Sequence, residues 1–155
     1  MSEQKLKPER STIDPILQVF ADLQPHDDVK PAFEILRDAG VRIAALTNSS
    51  AETTKKMFQN AELGNFVERY ISIDEVKHWK PAREVYLHAA KRLDVDLAEV
   101  ALVAAHDWDI QGANQAGLIT GFVARKGQRF SSAMQKPNVS GRSLEEVAKR
   151  LLALP

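Results

Sequence analysis

The sequence predicts an α/β fold, a three-layer domain with helices on both faces of a parallel sheet of about four strands. Three observations carry this. Short apolar runs at 41–46, 70–73, 100–105 and 118–124 lack the strict alternation of a strand with one wet face. Stretches with helical apolar spacing lie between these runs. Ser49-x-x-Glu52, Asp96-x-x-Glu99 and Ser143-x-x-Glu146 read as helix starts placed where such a fold needs them.

Taken in order, residues 1–12 are polar and are expected to be disordered. Ile13, Ile16, Leu17, Phe20 and Leu23 then share one helical face, and Pro25 ends that helix. Asp27 or Asp28 can cap the next, which turns Val29, Ala32, Phe33 and Leu36 inward and stops at Gly40. The strand 41–46 follows, and Ser49 is expected to cap a helix from about Ala51 to Ala61. After the strand 70–73 and a short link, Pro81 suits the first turn of a helix that buries Val85, Tyr86, Ala89 and Leu93. Asp96 and Glu99 form a one-turn cap before the strand 100–105. A short helix runs to Ala116 and Gly117, then a strand over 118–124. Residues 125–142 read as a loop, and Ser143 opens a last helix to about Leu152. Domain organisation is thus one core over 13–152.

Composition narrows the function classes. The 155 residues are 44% apolar and 27% charged, ordinary for a globular domain. Lys plus Arg and Asp plus Glu both number 21, so no excess of positive charge recruits nucleic acid or an anionic membrane. There is no cysteine, which excludes thiolate catalysis, disulfides and zinc–thiolate sites. The N-terminus lacks the apolar stretch of a secretory signal, and no apolar run approaches the roughly 20 residues needed to span a bilayer. A cytoplasmic location is the expectation.

Ligands of such sheets bind outside the carboxyl ends of the strands. Four groups of residues fall there. Thr47 and Asn48 follow the first strand with a hydroxyl, an amide and a helix N-terminus, a set that either holds an anion or simply caps the helix. Lys80 stands at the expected start of a helix, where it opposes the macrodipole, so it is either functional or a solvated lysine. Asp107 and Asp109 flank Trp108 after the third strand; they could bind a metal, act as base or anchor a lysine, or else cap the helix and serve as its first-turn acid. His106 is a base, a donor to substrate, or structural. Tyr86 belongs to the core by default, with a hydroxyl able to reach the strand ends. Trp79 and Trp108 read as core or rim aromatics, and His26, His78 and His88 lack the spacing of a zinc site.

Jointly, a strand ending in Thr47-Asn48, the Lys80-Pro81-x-x-x-Val85-Tyr86 helix start and Trp108-Asp109-Ile110-Gln111-Gly112-Ala113 resemble the haloacid dehalogenase-like hydrolase superfamily, nearest its L-2-haloacid dehalogenase (type II) branch. The resemblance covers residues 13–152. It implies a Rossmann-like core, and hydrolysis of 2-haloalkanoic acids to 2-hydroxy acids through an aspartyl ester, without a cofactor. It implies that Lys80 neutralises the nucleophile and the developing charge. Asp109 would orient Lys80 and the hydrolytic water. Thr47, Asn48, Tyr86 and His106 would face the substrate, His106 standing where asparagine is usual. The phosphatase branch carries an acid four positions before Asp109, and Ala105 stands there, so metal-free chemistry is the expectation.

The family's nucleophile lies in an Asp-x-x-Gly-Thr segment ending a first, central strand. Asp14, Asp22, Asp27 and Asp28 do not fit that pattern. The expectations are therefore a core lacking that strand and most of the cap, with only a cap remnant at its start; no nucleophile; an inactive isolated chain; and a gap between 41–47 and 100–105. The alternatives are a non-catalytic module binding small carboxylates or a partner, and a phosphatase of the same superfamily. The implied partner is a 2-haloacid or another small carboxylate, and a homodimer is allowed.

Overall fold

The computed structural model describes Val19 and residues 23–155. The expected helix over 13–23 and the polar start therefore lie outside the described residues, apart from Val19 and Leu23. Five helices are described: α1 (Val29–Asp38), α2 (Ala51–Asn60), α3 (Arg83–Leu93), α4 (Asp107–Ala116) and α5 (Leu144–Leu152). They interleave with β1 (Ile43–Thr47), β2 (Val67–Ser72), β3 (Ala101–Ala104), β4 (Ile119–Val123) and β5 (Val139–Gly141).

All pairings are parallel, but they form two sheets. β1 pairs with β2, and β3, β4 and β5 form a second ladder. β1 and β3 do not close up against each other, as the sequence led us to expect. Their apolar residues show it. Every residue of β1 is only half-buried, and β3 begins exposed, whereas β4 is buried over four of its five residues. Strands made of Ile, Ala, Leu and Val thus face an open cleft rather than a packed neighbour.

Each half has its own core. In one, Phe33 and Phe58 stack at 6.3 Å, and Phe66 and Tyr70 meet them edge-on at 5.8 and 5.6 Å. In the other, Tyr86, Ala113, Ala116 and Leu118 form a buried cluster against Leu97, Val100 and Leu102, and Leu46 of β1 reaches it. Among the ties that join the halves at the carboxyl edge of the strands, two bear on the site. Asp28, just before α1, accepts from Arg125 Nη1 and from the Leu144 N–H that opens α5, both at 2.6 Å. The second tie is Lys80 with Asp109, described below.

Several local expectations need correction. The cap of α2 is Ser50, whose Oγ accepts from Thr53 N, while the Ser49 N–H donates to Thr47 Oγ1. The helix after Lys80 begins at Arg83, and the Lys80–Pro81 peptide is cis. Lys80 therefore precedes the helix by three residues and does not oppose its dipole. His106, not Asp107, occupies the N-cap of α4; Asp107 is helical and accepts from the Trp108 N–H. Val139–Gly141, read as loop, forms β5 on the open side of β4. Ser143 caps α5 as expected, but the Glu146 carboxylate accepts from Arg142 N rather than from the Ser143 N–H of a capping box. Of the two readings of Trp79, core or rim, its 67% exposure leaves the rim.

Candidate active site

The site is built where β1 ends, where the Lys80 turn crosses it, and where α4 starts. Asn48 Oδ1 accepts from the backbone N–H of Lys80 at 3.1 Å, which fixes the turn against the end of β1. From there Lys80 Nζ donates to Asp109 Oδ2 at 2.7 Å and to the carbonyl oxygen of Leu46 at 3.2 Å. An ammonium has three donors, so capacity for one more acceptor remains. Asp109 is oriented from its other side. The Tyr86 hydroxyl donates to Asp109 Oδ1 at 2.7 Å and also lies 3.2 Å from its carbonyl oxygen.

This charge pair is nearly dry, with side-chain exposures of 12% for Lys80 and 6% for Asp109. Burying two ions is costly, and it is offset here by close geometry, by the Tyr86 hydrogen bond to the other carboxylate oxygen and by the Leu46 carbonyl on a second ammonium proton. Burial, then the hydrogen bond to Asp109 and its charge, push the Tyr86 phenol above its ordinary pKa, so it remains a donor. The Trp108 ring lies 5.9 Å from Lys80 Nζ, and His106 tilts against that ring at 5.3 Å.

Gly112 makes the arrangement sterically possible. A Cβ there would stand 2.6 Å from Pro81 Cβ, 2.6 Å from Tyr86 Oη and 2.7 Å from the Pro81 carbonyl oxygen. The absent side chain lets α4 approach the Lys80 turn closely enough to set Asp109 between Lys80 and Tyr86.

The pair opens into the cleft between β1 and β3, a cavity of about 650 Å³ lined by Thr47, Lys80 and Asp109 at one end and mostly by apolar side chains below. Thr47 keeps its O–H as a donor there, since its oxygen already accepts from Ser49. Tyr86 is fully buried against Asp109, so it positions the acid instead of facing the cavity. Asn48 contributes its amide oxygen to holding Lys80, and His106 is exposed at the rim. Among the described residues lining the cavity the acidic ones are Asp109, held at both oxygens, and Glu99, which accepts from Asp96 N ahead of β3. No three His, Cys, Asp or Glu side chains among the described residues are grouped to hold a metal ion. Glu75, by contrast, takes His88 at 3.0 Å and Arg92 at 3.3 Å, a cluster away from the cavity.

Sequence reasoning missed three contributors. The Leu46 carbonyl is main chain and carries no residue signal. Gly112 was visible inside the Trp108–Ala113 motif, but its packing partners were not. Trp108 was read as a core or rim aromatic, and only the fold brings its ring to Lys80.

A parallel α/β domain with a lysine–aspartate pair at the carboxyl edge agrees with the haloacid dehalogenase-like resemblance of the sequence. A family model described as haloacid dehalogenase-like hydrolase matches residues 3–117, and the chain belongs to that family. Its relatives within that family include (S)-2-haloacid dehalogenases. The chain is 34% identical over 141 residues to (S)-2-haloacid dehalogenase 1 of Pseudomonas sp. (strain CBS-3), covering 90% of this chain and 61% of that protein. It is 31% identical over 132 residues to (S)-2-haloacid dehalogenase 2 of the same strain, covering 85% and 58%. The chain thus spans about three fifths of the length of these relatives. The fold matches L-2-haloacid dehalogenase from Xanthobacter autotrophicus with a TM-score of 0.87 at 22% identity, over 97% of this chain and 70% of that one. No helix among the described residues is long and apolar enough to cross a membrane.

Proposed function

We propose that this chain carries the lysine–aspartate half of a site that hydrolyses 2-haloalkanoic acids to 2-hydroxy acids. The observation that carries this is Lys80 Nζ, bound to Asp109 and to the end of β1 at the mouth of the cleft. In the reaction a carboxylate nucleophile displaces halide from C2 and forms an ester. Water then attacks the ester carbonyl, releasing the 2-hydroxy acid and regenerating the carboxylate. Lys80 would hold the nucleophile ionised and beside the carbon. Asp109, kept in place by Tyr86, would fix Lys80 and orient the water. Thr47 and Asn48 would bind the substrate carboxylate, with His106 at the rim.

The described residues lining the cleft supply no free carboxylate for the first step, since Asp109 is engaged on both oxygens. The chain alone is therefore expected to be inactive. Halide release from 2-chloropropionate is the measurement. Release above background by the chain, abolished by Lys80→Ala, would overturn the inactivity. The second reading is capture of small carboxylates without turnover, supported by the donor set of Thr47 and Lys80 facing the cavity. Calorimetry with 2-chloropropionate and lactate tests it, and absence of heat at about 1 mM ligand, a weak-binding range, counts against it.

A further inference from the structure

We propose that Lys126, Arg129 and Arg142 form a cationic rim that gathers small monovalent anions at the mouth of the cleft. The anions are a carboxylate on its way to Lys80 and a halide on its way out. This deepens the function proposed above by naming what draws the substrate in, and it rests on that reading for the identity of the anions alone.

The sequence isolates the charge. From Ile110 to Leu144 the chain carries Arg125, Lys126, Arg129, Lys136 and Arg142 and no acidic residue. The chain as a whole is neutral, so this stretch is a local excess balanced elsewhere. A neutral protein can still hold a potential of several kT over part of its surface.

The fold sends most of that charge to one edge. β3, β4 and β5 run parallel, so the residues after Val123 and Gly141 emerge on the edge that holds Lys80 and Asp109. A tight turn follows β4, in which Gln128 N donates to the Arg125 carbonyl oxygen at 2.8 Å and Gly127 takes a φ of +81°. Ala124 N donates to the Gly141 carbonyl oxygen at 2.8 Å and so holds Arg142 beside that turn. Phe130 packs edge-on against Phe122 of β4 at 5.1 Å, and Gln135 N donates to Gln111 Oε1 of α4 at 2.8 Å, which ties the rest of the loop down. Lys136 lies toward the opposite edge. It precedes β5, and two residues on Asn138 Oδ1 accepts from Thr120 N near the start of β4.

The rim abuts the cavity. Arg125, which opens the turn, is tied to Asp28, and Asp28 also holds the Leu144 N–H. Val29 and Leu144 line the cavity together with Lys80. Its walls are mostly apolar, and low-dielectric walls focus a field of one sign.

The acids nearby are largely engaged. Asp28 binds Arg125, Asp109 binds Lys80, Glu146 binds Arg150, and Glu145 lies 3.9 Å from Lys149. Asp107 takes the Trp108 N–H and keeps its charge. Lys126, Arg129 and Arg142 are exposed, and their side chains form no ion pair among the described residues.

The test is quenching of Trp108 fluorescence in the full chain carrying Trp79→Phe, which leaves one tryptophan, its ring 5.9 Å from Lys80 Nζ. Iodide is the anionic quencher, and neutral acrylamide measures access alone. Their ratio reads the local anion concentration. At about 0.02 M salt the Debye length is roughly 20 Å, so the rim acts on the mouth; at about 0.5 M it is screened. Lys126→Glu, Arg129→Glu and Arg142→Glu together should lower the ratio about fivefold at low salt and hardly at all at high salt. The three glutamine substitutions together, milder for the fold, should lower it about twofold. Lys136→Glu, the same charge change at the other edge, should leave it nearly unchanged. A ratio that ignores the triple variants overturns the proposal. So does one that falls equally with Lys136→Glu, one independent of salt, or a Trp108 that iodide does not reach. The readout needs no turnover. Its failure leaves the haloacid reading standing, and failure of halide release leaves the ratio untouched.

Discussion

Gly112→Ala sets two effects of known sign against each other. In the interior of α4 alanine should help, by about 1 kcal/mol, because glycine is a poor helix former. Packing acts the other way. The new methyl would lie 2.6 and 2.7 Å from three atoms, where carbon contacts prefer roughly 3.5–4.0 Å. Two of those atoms belong to Pro81, whose carbonyl and ring are part of the Lys80 turn and cannot swing aside as a flexible chain end would. The third is the Tyr86 hydroxyl that holds Asp109. Overpacking of this kind costs about 1–3 kcal/mol, and three simultaneous clashes place it at the upper end. The net expectation is destabilisation by about 1–2 kcal/mol, a fall in Tm of roughly 2–8 °C for a domain of this size. Urea unfolding followed by far-UV circular dichroism measures it as a lower midpoint with unchanged slope. A variant as stable as the parent, or more so, would refute the claim that this glycine is set by contact with Pro81 and Tyr86.

Two further outcomes follow from buried polar groups. The Tyr70 hydroxyl is buried with no hydrogen-bond partner among the described residues, and burial raises its pKa. Tyr70→Phe keeps the edge-on contact with Phe58 and should stabilise by about 1 kcal/mol; a lower melting temperature would reveal an unseen partner. At Asp28 burial pushes the carboxyl pKa up, but the hydrogen bonds from Arg125 and the Leu144 N–H, with the Arg125 charge, outweigh it and leave the group below its ordinary value of 3.8. A depressed folded pKa contributes stability that is fully present above 3.8 and is lost as pH falls through the folded value. Asp28→Asn should therefore be about 1–3 kcal/mol less stable than the parent at neutral pH, with the gap narrowing in acid. Denaturation series from about pH 6 to about pH 3 check this, and a constant gap would contradict it.

The parallel α/β architecture was legible because strands buried on both faces need continuous apolar runs, and these stood between amphipathic helices. The gap in the sheet was legible too, from the missing strand implied by the family resemblance, and the half-buried Ile43–Leu46 confirms its physical mark. Lys80 and Asp109 were singled out by the family resemblance; each alone read as well as a solvated lysine and a first-turn acid. What they do to each other could not be read, since sequence spacing does not give the turn that carries Lys80 back to Leu46. The Ser49 cap failed for a related reason. Ser49 and Ser50 are identical in type, and only the folded backbone shows that Ser50 opens α2. β5 escaped notice because three residues ending in glycine carry almost no strand signal; their pairing with β4 is a tertiary gain.

The main-chain anchor of Lys80 has an evolutionary consequence. The ammonium is placed by the carbonyl of residue 46 and not by its side chain. Position 46 can therefore drift among apolar residues without moving the charge. Positions 80, 86 and 109 have no such freedom, because each meets another through a side-chain atom. Variation across descendants of this site should accordingly be broad along β1 and narrow at those three positions.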